Sequence, residues 1–128
     1  MFQVGSNELE TKEPDDVMEE MEKLVHTTKQ KLPGSTIILR QIIPKFYSDR
    51  RLATEYDQKR HVMNNLIIEY CREIDISNVE YDNMKFIDYT DGIHLNSYGV
   101  SSLVRCMKKV FNPKLGINET EIDKQKSV

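Results

Sequence analysis

The segment "STIILRQIIP", Ser35 to Pro44, most limits what this chain can fold into. Pro33-Gly34 precede it, Pro44 closes it, and β-branched residues fill it, so it reads as a strand bounded by turn signals. It is apolar almost throughout. A strand with two apolar faces needs cover on both, which is the condition inside a parallel sheet. Helical patterns flank it. Upstream, Val17, Met21, Leu24, Val25, Thr28 and Leu32 recur at helical spacing, with Pro14, Asp15 and Asp16 suited to the first turn. Downstream, Val62, Leu66, Ile67, Tyr70 and Ile74 give a second helix its apolar face.

The same alternation runs to both ends. "FQV", Phe2–Val4, looks like the end of a strand, and "GSNE" after it like a tight turn. "ISNVEYDN" reads as a loop, "MKFIDY" (Met84 to Tyr89) as a short strand. A third helix carries Val100, Leu103, Val104, Met107, Val110 and Phe111, and Pro113 ends the fold. Strand–helix alternation of this kind implies an α/β fold with a parallel sheet and right-handed crossovers. The 128 residues suffice for one domain. The expected division is a domain over 1–113 and a polar, disordered tail over 114–128. Three strands fall short of the about five or six of a doubly wound sheet. Phe2–Val4 would also form an unpaired edge. The expectation is that amino-terminal strands of a larger domain are missing.

Composition narrows the function. With 30% charged residues and a net charge of −3, the chain carries no electrostatic footprint for nucleic acid. No apolar run approaches a membrane span and no signal peptide is visible, so the expected setting is cytoplasmic or otherwise intracellular, with no membrane partner. Cys71 and Cys106 both fall in helix-like segments and read as small buried apolar residues.

In open parallel sheets, ligands bind beyond the carboxyl ends of the strands. Three loops would emerge there: Gly5-Ser6-Asn7, the stretch 44–51, and "DGIHLN" from Asp91 to Asn96. An Asp three residues before a His can accept the imidazole Nδ1–H, which fixes the tautomer and leaves Nε2 as a base. Gly92 allows the tight turn between them, and Asn96 or Ser97 can cap the next helix. Asn7, at a strand's end, can donate to a developing oxyanion. Simpler readings compete: Asp91-Gly92 as an ordinary turn, and Asn7 as a turn residue or cap. Asp88, Asp91 and His94 as metal ligands supply only one nitrogen and no thiolate, a poor set for zinc. Nor is there a glycine-rich phosphate loop to accompany magnesium. No metal or cofactor is expected. Lys45, Phe46, Tyr47, Arg50 and Arg51 mix cations and aromatics on the middle loop; a solvated loop is the plainer reading.

Taken together, "VGSNE" and "DGIHLNSYG" resemble the Gly-x-Asn-Asp and terminal Asp-x-x-His segments of the SGNH (GDSL-type) hydrolases. Their order and their placement after strands match across roughly Phe2 to Phe111. The surroundings also resemble SGNH domains of animal retroelement-associated proteins. The resemblance implies a three-layer, flavodoxin-like fold and hydrolysis of a small acyl ester by a Ser-His-Asp type mechanism. His94 would be the general base, Asp91 its orienting partner and Asn7 an oxyanion-hole donor, with Gly5 permitting the turn that presents Asn7. Glu8 stands where the family has an Asp.

One departure is serious. The family's Gly-Asp-Ser nucleophile motif does not occur, and it would lie upstream of Met1. None of Ser6, Ser35, Ser48, Ser77, Ser97, Ser101 and Ser102 has a nucleophile-elbow context. No nucleophile is therefore assigned in this chain, and a fragment inactive by itself is expected. The alternative is a non-catalytic SGNH-like module that binds a protein, at the exposed edge strand, or an RNA.

Overall fold

The computed structural model describes residues 8–81 and 84–115. The expected strand at Phe2–Val4, together with Gly5 and Asn7, lies outside the described residues, as does the end of the chain from residue 116.

A 3₁₀ turn, Glu8–Glu10, leads into α1, Pro14–Lys31. Pro14 sits at the start of α1, where its missing N–H costs no bond, with Asp15 and Asp16 in the first turn and Lys29 and Lys31 in the last, as the helix dipole favours. α2 spans Arg50–Ile74. The Asp49 side chain caps it, accepting from the backbone N–H groups of Arg51 at 2.8 Å and Leu52 at 3.1 Å. α3 spans Ser97–Leu115.

Two short strands pair in parallel, β1 (Ile38–Arg40) and β2 (Ser77–Val79), with Ile38 opposite Ser77 and Arg40 opposite Val79. Gln41 extends the pairing through its backbone N–H to the Val79 carbonyl, 3.0 Å, and its side chain donates to Asn78 Oδ1 at 2.7 Å. Successive residues of β1 face opposite ways. Leu39 joins a cluster with Val17, Met21 and Val25 of α1 and Met63 and Ile67 of α2. Ile38 joins a second cluster with Val79, Cys106 and, from α3, Met107, Val110 and Phe111. The doubly apolar run thus has cover on both faces, as its composition requires. Val17, Met63 and Ile67 are fully buried, and each such side chain contributes about 1.5–3 kcal/mol. Cys71 and Cys106 are free and buried, and burial pushes the Cys71 thiol up to about 11. Among the described residues, no helix is long and apolar enough to cross a membrane.

The sequence reading needs correction at four places. β1 covers three residues of the Ser35–Pro44 run. The strand after α2 is Ser77–Val79, inside the expected loop, whereas Met84–Tyr89 holds a 3₁₀ turn at Phe86–Asp88. Two local devices cause the exchange. Asp75 adopts the left-handed conformation, φ 55°, and turns the chain straight from α2 into β2. Asp88 Oδ2 accepts the Lys85 N–H at 2.8 Å and curls the next segment. Third, α3 passes through Pro113 to Leu115, because a proline in a last turn forfeits only one backbone bond. Fourth, Leu24, Leu32, Val62, Val100 and Val104, assigned to apolar faces, are exposed.

Just past β1 the chain is clipped to α2 by buried Asn64. Its Oδ1 accepts the Ile42 N–H at 2.6 Å and its Nδ2 donates to the Ile42 carbonyl at 3.2 Å. Asn64→Ala leaves both backbone groups unpaired. It is expected to cost about 2–4 kcal/mol in urea unfolding, above a typical cavity-free surface change.

Candidate active site

The chain enters the site from β1 through the rim loop Pro44–Tyr47. Residues 89–96 fold against this loop as a closed turn. Tyr89 and Leu95 form an antiparallel bridge, the Thr90 N–H donates to the His94 carbonyl at 2.8 Å, and the Asn96 N–H donates to the Asp88 carbonyl at 2.9 Å. Asn96 then caps α3, its Oδ1 accepting the Gly99 N–H at 3.0 Å. Ser97 is the first residue of the helix, so of the two expected caps it is Asn96 that serves.

Inside this turn Asp91 makes three bonds. Oδ1 accepts the backbone N–H groups of Ile93 at 2.9 Å and His94 at 2.7 Å. Oδ2 lies 2.6 Å from His94 Nδ1. An ionised carboxylate only accepts, so Nδ1 carries the hydrogen and Nε2 is left as the basic nitrogen. The His94 backbone N–H, then its imidazole, then the Ile93 N–H hold the Asp91 carboxyl well below the usual carboxylate range. Both side chains face solvent, His94 at 78% and Asp91 at 49% exposure. Among the described residues no hydroxyl hydrogen-bonds to Nε2.

Gly92 makes the turn possible. Its φ is 84°, and a Cβ there would run into the Phe46 carbonyl oxygen. The Phe46 N–H donates to the Gly92 carbonyl at 2.5 Å. The Phe46 ring packs edge-on against Tyr89 at 5.1 Å and Phe86 at 6.0 Å. The Tyr89 hydroxyl donates to the Pro44 carbonyl, and burial pushes that phenol up to about 12.

The neighbouring residue of the same loop grips the other side. Lys45 was expected on a solvated loop. It is instead buried, with its Nζ 2.5 Å from Glu10 Oε1 and 5.2 Å from the centre of the Tyr56 ring. The Tyr47 hydroxyl donates to the same Glu10 oxygen at 2.6 Å. The hydrogen bonds from Lys45 and Tyr47 hold the Glu10 carboxyl below its ordinary range, and His94 is near enough to add to the effect. Lys59 completes the grip, donating to the carbonyls of Leu9 at 3.2 Å and Lys12 at 3.3 Å. Arg50 and Arg51 open α2 and are exposed. A cleft of about 190 Å³ adjoins Glu10, walled by Leu9, Leu52 and Tyr56.

The turn with Asp91 and His94 and the segment that follows Asn7 therefore meet on one loop. Asn7 and Gly5 lie outside the described residues. Sequence reasoning passed over Glu10 and read Lys45 as solvated. Asp88 is buried and turned to the Lys85 N–H, away from the role of a third ligand beside Asp91 and His94. Among the described residues no three His, Cys, Asp or Glu gather as a metal-holding group.

A scan against protein-family models finds no match, and neither does a search of curated proteins. Solved structures do match. The esterase domain of the ORF1 protein from the zebrafish ZfL2-1 retrotransposon aligns with a TM-score of 0.66 at 17% identity, over 85% of this chain and 69% of that one. The two share a fold. The resemblance carried by "GSNE" and "DGIHLN" led to the same kind of domain.

The Asp91 geometry sets a pH expectation. A carboxyl depressed on folding stabilises the turn above its ordinary value of about 3.9, and that contribution is lost as pH falls through the depressed value. Carbonyl NMR should find Asp91 titrating well below about 3.9. His94→Ala should raise the midpoint only part of the way, because the backbone N–H of residue 94 remains the leading donor.

Proposed function

We propose that the chain is the carboxyl-terminal part of an SGNH-type ester hydrolase domain, in a three-layer, flavodoxin-like arrangement. The observation that carries this reading is the bond from His94 Nδ1 to Asp91 Oδ2 at 2.6 Å, in a turn beside the segment that follows Asn7. The fold shared with an esterase domain supports it.

In this mechanism His94 Nε2 takes the proton of an attacking serine hydroxyl, and Asp91 stabilises the imidazolium that forms. Asn7 donates to the oxyanion of the tetrahedral intermediate, with Gly5 shaping its turn. His94 then returns the proton to the departing alcohol; a water, deprotonated by His94 Nε2, attacks the acyl-serine, and the serine takes the proton back as the acid leaves. The cleft beside Glu10 receives part of a small acyl ester. The serine comes from a Gly-Asp-Ser segment outside these 128 residues, in cis or from another chain, and without it the chain is inactive.

The test is hydrolysis of a short-chain p-nitrophenyl ester by the chain extended upstream through its native coding sequence. His94→Ala should lower kcat by about 10²–10⁴-fold, the usual contribution of a general base. Asp91→Asn should lower it too, through loss of the tautomer. An extended protein that carries Gly-Asp-Ser and hydrolyses the ester equally well without His94 refutes the reading.

A second reading, a non-catalytic module, draws support from Phe86, Ile87 and Tyr98. These three large apolar side chains lie close to the site in sequence and are 65–72% exposed. It expects an upstream segment with no Gly-Asp-Ser and a partner protein that covers these residues.

A further inference from the structure

A second cleft lies between the 3₁₀ turn at Phe86–Asp88 and α3. It has a volume of about 300 Å³ and is lined by Lys85, Asp88, Ser102, Arg105 and Lys109 among others. Volumes of this order admit a small ligand. Its charge is lopsided. Arg105 and Lys109 stand four residues apart on α3, where like charges repel one another. Lys85 brings a third cation from across the cleft. Among the described residues none of the three makes an ion pair. Among the described residues Asp88 is the one acid in the lining; it is buried and accepts the Lys85 N–H, so the described lining keeps a surplus of two positive charges.

We infer that this cleft binds a phosphoryl group, inorganic phosphate or the phosphate monoester of a small molecule. Such a group carries about −1.5 to −2 charge at neutral pH, which matches the surplus. The Arg105 fork can pair two phosphate oxygens, Lys85 and Lys109 supply point charges, and the Ser102 hydroxyl adds a neutral donor. A bound dianion also relieves the repulsion between Arg105 and Lys109. The site is separate from Asp91 and His94 and does not depend on their chemistry.

The experiment is a phosphate titration of the ¹⁵N-labelled 128-residue chain, followed by amide NMR at ionic strength held constant with sodium chloride. Saturable shifts are expected at Lys85, Asp88 and from Ser102 to Lys109. Arg105→Glu and Lys109→Glu should each weaken binding about tenfold or more, as loss of a charge-assisted bond does. Lys109→Ala gives a milder variant, expected to weaken binding about threefold. Both positions changed, 105 and 109, are solvent-facing, and thermal melts confirm that the variants stay folded. Shifts reproduced by chloride alone overturn the proposal, as do shifts indifferent to both glutamate variants. A short oligothymidylate that binds the same face a hundredfold tighter, with steep salt dependence, overturns it in favour of a polyanion track.

Discussion

Two adjacent residues, Lys45 and Phe46, hold the candidate site together. The Lys45 side chain reaches back to Glu10, and the Phe46 backbone reaches forward to Gly92. Segments about 80 residues apart in sequence are therefore spaced by a single peptide unit. Burial makes the first grip strong: an ammonium out of water must keep its partner, since removing either leaves an uncompensated charge. Crowding makes the second grip exact in position, because the Phe46 carbonyl fills the space beside the Gly92 Cα. Neither contact has slack, so the loop acts as a spacer between the turn with His94 and the segment leading back to Asn7.

What the sequence could and could not disclose follows from the range of each interaction. The Asp91–His94 pair was legible because it closes within four residues, and Gly92 advertises the turn. The β1 strand was legible because apolar cover on both faces leaves a continuous run. β2 was not, because Ser77 and Asn78 are poor strand formers whose pairing is set by β1 and by the side-chain bond from Gln41. Met84–Tyr89 misled for the opposite reason. Its residues favour a strand, but the Asp88 carboxylate takes a backbone N–H three residues back and leaves Phe86 and Ile87 outside. The burial of Lys45 was illegible in principle, since its acid partner lies 35 residues away.

The helices show the same division. Asp49 and Asn96, residue types that favour caps, mark the starts of α2 and α3 where the chain needs them. The width of each apolar stripe is less predictable. Val62, Val100 and Val104 repeat at helical spacing but lie beyond the edge of what β1, β2 and the neighbouring helices cover. Periodicity finds the face of a helix, while the neighbours decide how much of that face is buried.

The exposure of His94 has a consequence for the strength of its bond to Asp91. In open water the dielectric is about 80, and attraction between imidazolium and carboxylate is faint at that value. A body lying over the turn and lowering the effective dielectric to about 20 would multiply the attraction roughly fourfold with no atom of the pair moving. The pair is thus a preset geometry whose electrostatic strength is supplied by whatever covers it.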